Sequence, residues 1–153
     1  MEITEVRIKL VTDLDDRLRA FCSITFDSQF VVRDLKIIEG QRGHFVAMPS
    51  RKLMEKCGRC SAKNEVRAKF CSNCGSRLPE SRIQRNDGGK QRMFADIAHP
   101  INAVCRDRIE NAVLLAFDEE RELAMKPGYI CRYDDYDDPA PRSVSSGHGD
   151  HDR

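Results

Sequence analysis

The first third of the chain carries the pattern of apolar and polar positions that is typical of β-strands. The strand-like segments are residues 3–11, about 17–26, 30–39 and 44–48. The period of two is clearest in the first of them, where Val6, Ile8 and Leu10 alternate with charged residues. Turns rich in aspartate, glycine or proline separate the segments. Four sequential strands joined by short turns predict an antiparallel β-meander.

A helical period replaces the strand pattern after Pro100. Asn102 is placed to act as the N-cap, and the helix is expected to end near Met125, before Pro127 and Gly128. The apolar positions recur every three or four residues and predict one buried face, made of Ile101, Val104, Cys105, Ile109, Ala112, Val113, Ala116 and Phe117. The predicted fold class is therefore α+β, an antiparallel meander with a C-terminal helix.

Neither period continues through residues 51–92, which interrupt the strand-and-helix framework. The predicted organisation is a β-sheet part at 1–52, an insertion with its linker at 53–90, a final segment with the helix at 91–126, and a disordered acidic tail at 127–153. Residues 51–92 hold 12 Lys and Arg against 4 Asp and Glu, whereas the chain as a whole has a net charge of only +1. A basic block inside an acidic remainder indicates a module that binds anions.

Four of the seven cysteines form the strongest chemical signal in the sequence. Cys57, Cys60, Cys71 and Cys74 follow the spacing C-x2-C-x10-C-x2-C, which lets two tight turns aim four thiolates at one point and suits Zn²⁺. All four ligands come from the protein, so the predicted site is structural. A redox C-x-x-C pair and an iron–sulfur site are the competing interpretations.

Composition narrows the class of protein further. No apolar run approaches the roughly 20 residues that span a bilayer, and the N-terminus does not have the pattern of a signal peptide, so we expect a cytoplasmic protein without a membrane partner. No catalytic triad, paired carboxylate site or open metal site can be assembled from the sequence. We therefore expect neither an enzyme nor a small-molecule substrate.

Two resemblances add to this interpretation. Residues 57–60 and 70–75 resemble the short zinc ribbons. Such ribbons dock nucleic acids or proteins, or only stabilise the fold around them. The framework resembles the SpoVG family of septation regulators, and the segments that carry this likeness are residues 2–8, 30–40, 43–52, 94–102 and 106–109. This chain departs from the family pattern in its cysteine insertion, in Asp107 and in its acidic tail.

The SpoVG resemblance implies a regulator that binds DNA, and in some members of the family RNA, as a homodimer built on the sheet. It places nucleic-acid contacts at Arg51, Lys52, Arg106 and Arg108, and the basic insertion adds Arg67 and Lys69 as further candidates. An interaction adaptor, in which the insertion docks a partner protein, is the alternative. The acidic tail is expected to compete with nucleic acid for the basic insertion because it mimics the charge of a polyanion.

Overall fold

The computed structural model describes residues 1–80, 88–90 and 92–136. Its elements confirm the predicted α+β class, with an antiparallel sheet and a C-terminal helix. In chain order they are β1 (Ile3–Leu10), β2 (Leu18–Phe26), β3 (Phe30–Gly40), β4 (Gly43–Ala47), β5 (Ser50–Lys52), β6 (Met54–Lys56), β7 (Lys63–Glu65), β8 (Phe94–Asp96) and α1 (Ala103–Ala124).

The main sheet is the predicted meander, in which β1, β2, β3 and β4 lie side by side in sequence order. Tight turns allow this order. Asp27 and Ser28 adopt left-handed backbone angles between β2 and β3, and Gly43 has a φ of +113° where the chain enters β4. A bulge in β3 places both Arg33 and Asp34 opposite Ser23, and Asp34 takes a φ of +64°.

Helix α1 covers one face of this sheet and closes the core. Ile109, Val113 and Phe117 pack against residues from all four strands, namely Ile8, Ala20, Cys22, Ile24, Leu35, Ile37 and Val46. Burial of a side chain of this size stabilises the fold by about 1.5–3 kcal/mol. Burial also raises the pKa of Cys22 to about 12, so this thiol is a neutral core group. Among the residues that the structure describes, no helix has the length and hydropathy needed to span a membrane.

The start of the helix confirms one prediction and corrects another. The side chain of Asn102 accepts a hydrogen bond of 2.8 Å from the backbone N–H of Cys105, as expected of an N-cap. Ile101 and Val104, however, are 90% and 71% exposed. The prediction that they belong to the buried face is wrong, because Ile101 precedes the helix and Val104 points away from the sheet.

The insertion is attached to the framework by a short antiparallel pair that the sequence pattern did not predict. Strand β5 pairs with β8, so that Arg51 lies opposite Ala95 and Lys52 lies opposite Phe94. A hydrogen bond of 2.8 Å from the Leu53 N–H to the Met93 carbonyl extends the ladder. The two ends of the insertion are therefore held together where it leaves the framework and returns to it.

The C-terminal segment differs from its predicted disorder over residues 127–136. Tyr133 is only 4% exposed, and its hydroxyl lies 3.3 Å from the backbone nitrogen of Asp34, which donates to it. Tyr136 hydrogen-bonds to Ser23. These residues pack on the face of the main sheet opposite the helix, because their rings supply apolar contact that an acidic composition does not reveal. Residues 137–153 of the predicted tail lie outside the described part of the chain.

Candidate metal centre and nucleic-acid interface

Two similar backbone turns carry the four cysteines of the insertion. The first turn closes with a hydrogen bond of 2.9 Å from the Ser61 N–H to the Cys57 carbonyl, and the second with one of 3.0 Å from the Gly75 N–H to the Cys71 carbonyl. The hairpin of β6 and β7 presents the first turn. An isolated bridge between Phe70 and Arg77 flanks the second.

Each turn needs one residue with a left-handed backbone, and it falls directly after the second cysteine. This residue is Gly75, at a φ of +75°, in the second turn, and Ser61, at +62°, in the first. Gly58 lies inside the first turn, but its backbone is not left-handed. In both turns, the left-handed residue follows the second cysteine and does not lie between the two cysteines.

The four cysteine sulfurs converge on one point, as the spacing predicts. The Sγ atoms of Cys57 and Cys74 are 3.7 Å apart, and those of Cys60 and Cys71 are 3.5 Å apart. All four Sγ atoms lie within 4.8 Å of one another. The group could hold a single metal ion with four thiolate ligands.

Hydrogen bonds to sulfur favour the thiolate form in the second turn. The pKa of Cys71 falls to about 6, because the backbone of Cys74 and the side chain of Asn64 donate to its sulfur. The pKa of Cys74 is also lowered, chiefly by its hydrogen bond with Ser76. Thiolates are the form in which cysteine binds metals, so these bonds prepare the site for an ion.

Asn64 is a supporting residue that the sequence analysis missed. Its side chain is 4% exposed and joins the two halves of the centre. The amide nitrogen donates to the Cys71 sulfur at 3.4 Å, and the amide oxygen accepts from the N–H of Ser72 at 2.9 Å. Only its position in β7, opposite the second cysteine turn, reveals this role, and no spacing rule in the sequence encodes it.

Arg51 and Lys52, the predicted basic pair, lie in strand β5. Both side chains are exposed, at the base of the insertion. The ammonium of Lys52 forms an ion pair of 2.8 Å with Glu65 of β7. That contact joins the framework to the insertion and places Lys52 beside its basic surface.

The other predicted nucleic-acid contacts are distributed over two elements. Arg67 and Lys69 are exposed in the insertion, between β7 and the second cysteine turn. Arg106 and Arg108 are exposed near the start of α1, where the guanidinium of Arg108 lies 3.4 Å from the Met1 carbonyl. The role of all six residues in nucleic-acid binding stays a prediction.

A four-stranded antiparallel meander covered by one helix, with a cysteine-rich insertion between the fourth strand and the helix, defines an α+β domain that carries a candidate metal centre. Comparison with known families identifies the family of this domain. The SpoVG family model matches residues 1–119, and the chain belongs to the SpoVG family.

Individual relatives agree with the family match. A SpoVG protein of Desulforudis audaxviator, whose name describes it as a septation protein, is 41% identical over 124 residues, which make up 81% of this chain and 98% of the relative. Its counterpart in Finegoldia magna is 38% identical over 122 residues, covering 80% of this chain and 79% of the relative. The one in Clostridium acetobutylicum is 35% identical over 119 residues, covering 78% and 86%.

Proposed function

We propose that this SpoVG-family chain is a non-enzymatic regulator that binds DNA, and RNA as a second ligand, as a homodimer, and that its insertion holds one structural Zn²⁺. The observation that carries the proposal is the exposed basic surface at the base of the insertion. There, Arg51 and Lys52 of the framework lie beside the basic insertion. The four converging cysteines hold the two turns of that insertion together. Such a surface neutralises backbone phosphates and releases their counterions.

The geometry of the sulfurs supports zinc. A tetrahedral site with Zn–S bonds of about 2.3 Å has S···S edges of about 3.8 Å, close to the 3.7 Å and 3.5 Å between the paired sulfurs. A single ion fits this spacing, whereas an iron–sulfur cluster requires wider ligands. Four protein thiolates leave no coordination position for water or substrate, which supports a structural role. Elemental analysis for zinc and iron on purified protein tests the assignment.

Binding is tested with full-length, zinc-loaded protein and a labelled duplex at low salt. Reversing the charges with Arg51→Glu and Lys52→Glu should abolish binding. A matched variant combines Arg42→Glu, in the turn between β3 and β4, with Arg121→Glu, near the end of α1. It changes the net charge equally at positions outside the insertion and should retain binding. If about 4–6 phosphates are contacted, the log–log salt slope of the unmodified protein should be roughly −3.5 to −5.5. Equal binding by the two variants would refute the proposed surface.

One observation favours the adaptor as a second candidate. Phe70, directly before Cys71, is 61% exposed, and Met54 at the base of the insertion is 42% exposed. Aromatic residues and methionine are enriched in protein interfaces relative to the rest of the surface. If the insertion docks a protein, Phe70→Ser should abolish capture of that partner, while the charge reversals at Arg51 and Lys52 leave capture intact.

A further inference from the structure

The helix-free face of the main sheet carries a group of cations. Successive side chains of a strand point to opposite faces. Because Ile8 packs in the core against α1, its neighbours Arg7 and Lys9 project from the other face. The bulge in β3 supplies Arg33 to the same surface. We call Arg7, Lys9 and Arg33 the cationic face.

The chain itself covers this face with residues 132–136, which we call the strap. The ring of Tyr136 stacks on the Arg7 guanidinium, whose central carbon lies 4.0 Å from the ring centroid. The guanidinium of Arg33 lies 5.1 Å from the Tyr133 centroid and 5.3 Å from that of Tyr136. Both rings thus lie against the cations of the face.

Acceptor oxygens of the strap bind the same cations. The carboxylate of Asp134 forms ion pairs of 2.8 Å with Arg33 and 3.5 Å with Lys9. Arg7 donates to the backbone carbonyls of Arg132 and Asp135, at 3.2 Å and 2.5 Å. Each cation of the face therefore meets a ring, an acceptor oxygen, or both.

The order of groups along the strap is aromatic, acidic, acidic, aromatic. A single-stranded nucleic acid offers the same sequence of chemistry, because planar bases stack on guanidinium groups and phosphates pair with cations. We propose that the cationic face is a second nucleic-acid surface, specific for single strands, and that the strap occupies it until such a strand displaces it. This inference rests on the proposed function, which it extends to a separate site.

The ion pairs of the strap are exposed, whereas Tyr133 is only 4% exposed. The side chains of Lys9, Arg33 and Asp134 are 52%, 39% and 66% exposed, and ion pairs this exposed contribute little to stability. A single strand would replace these contacts in kind, with phosphates in place of Asp134 and stacked bases in place of Tyr133 and Tyr136. A purely acidic polypeptide without aromatic residues would satisfy the charges but would leave Arg7 and Arg33 without the two stacked rings, so single-stranded nucleic acid is the favoured ligand.

The experiment measures fluorescence anisotropy of a labelled oligothymidylate of about 20 nucleotides with full-length, zinc-loaded protein at low salt. The strap variant combines Asp134→Asn with Tyr136→Ala and should bind about fivefold more tightly or better, because a covered site lowers the apparent affinity by its open fraction. Adding Arg7→Gln and Arg33→Gln to the strap variant should remove that gain. Adding Arg42→Gln and Arg121→Gln instead, which removes equal charge elsewhere, should preserve it.

A second readout follows the strap directly. The three tyrosines of the chain are Tyr129, Tyr133 and Tyr136, and the chain has no tryptophan, so tyrosine emission reports on this segment. Emission should change in an Asp134→Lys variant, which keeps all three tyrosines. Hydrogen exchange of residues 129–136 should rise when the oligothymidylate is added to unmodified protein. Asp134→Lys, which places a cation beside Lys9 and Arg33, serves as an independent opening variant if the double substitution fails to fold.

The outcomes separate this inference from the proposed function. If unmodified protein binds duplex through Arg51 and Lys52, but opening the strap brings no gain for the single strand, the inference is overturned and the proposed function stands. If poly-glutamate displaces the strap as well as the oligothymidylate does, the face is an acidic-peptide site and the inference is also overturned. If no variant binds any oligonucleotide, both fail.

Discussion

At the residue scale, the metal centre depends on a side chain that is not itself a ligand. Asn64 donates to the sulfur of Cys71 and accepts from the backbone of Ser72, so it fixes the second cysteine turn against the first. Groups that orient metal ligands by hydrogen bonds contribute measurably to metal affinity. The proposed zinc site should therefore be sensitive to this position.

We expect Asn64→Ala to lower zinc affinity about 10- to 100-fold, the usual effect of losing a supporting hydrogen bond. A chromophoric chelator in competition with the protein measures the change. Asn111→Ala is the matched control, because Asn111 is exposed on α1, which does not belong to the insertion. Equal affinity of the two variants would show that Asn64 does not support the centre.

The cysteines themselves were predictable because their information is local. Two C-x2-C pairs specify two turns, and the turns converge on one point. Asn64 and Ser61 were not predictable in this way. Asn64 acts across a tertiary contact, and the left-handed backbone of Ser61 is the kind of position that a glycine search overlooks. Sequence spacing thus identifies the ligands but not the residues that orient them.

At the element scale, the start of α1 depends on its N-cap. The Asn102 side chain satisfies a backbone N–H that the helix leaves free in its first turn. Asn102→Ala should lower the free energy of unfolding by about 1 kcal/mol. Asn102→Ser should lower it by only a few tenths of a kcal/mol, because serine is also a good N-cap residue. Urea unfolding followed by circular dichroism measures both. Equal midpoints for the alanine variant and the unmodified protein would contradict the assigned cap.

Because β5 and β8 hold the two ends of the insertion side by side, we expect that the insertion can be excised without loss of the framework fold. Leu53 and Met93 are hydrogen-bonded across this ladder, and a two-residue Asn-Gly turn can join antiparallel strands at such a pair. Replacement of residues 54–92 by Asn-Gly should yield a protein that unfolds cooperatively, keeps its helix content and binds no metal. Circular dichroism and elemental analysis test these expectations.

The control for this excision removes β8 as well, by replacing residues 54–96. It should be less stable than the first variant, because Arg51 and Lys52 lose their partners in the ladder. If the shorter excision fails to fold while the full chain folds, the insertion is an integral part of the domain rather than an appended module.

The elements differ in how well the sequence predicts them. The four long strands and the helix have enough residues for a period to emerge, and their observed bounds lie within about two residues of the predicted ones. Strands β5 and β8 have three residues each and meet across the whole insertion, so no local period can show them. The strap escaped prediction for a related reason, since its acidic composition hides the burial of Tyr133 on a distant sheet face.

At the scale of the whole molecule, the framework and the insertion are stabilised in different ways. The framework is stabilised by a hydrophobic core between α1 and the main sheet. The part of the insertion that the structure describes places only Cys57, Asn64, Val66 and Cys71 among its buried residues, too few to stabilise a segment of this size. We therefore expect the metal to supply the stability of the insertion and the framework to fold without it.

A strong chelator should accordingly remove about one zinc per chain and unfold the insertion alone. Hydrogen exchange should rise across residues 57–74, while β1–β4 and α1 keep their protection, and added zinc should reverse the change. A variant with serine at all four cysteine positions is the control and should show no response to the chelator. If the chelator instead unfolds the main sheet together with the insertion, the two parts form one cooperative unit. In that case, the metal stabilises the surface around Arg51 and Lys52 as well as the cysteine turns.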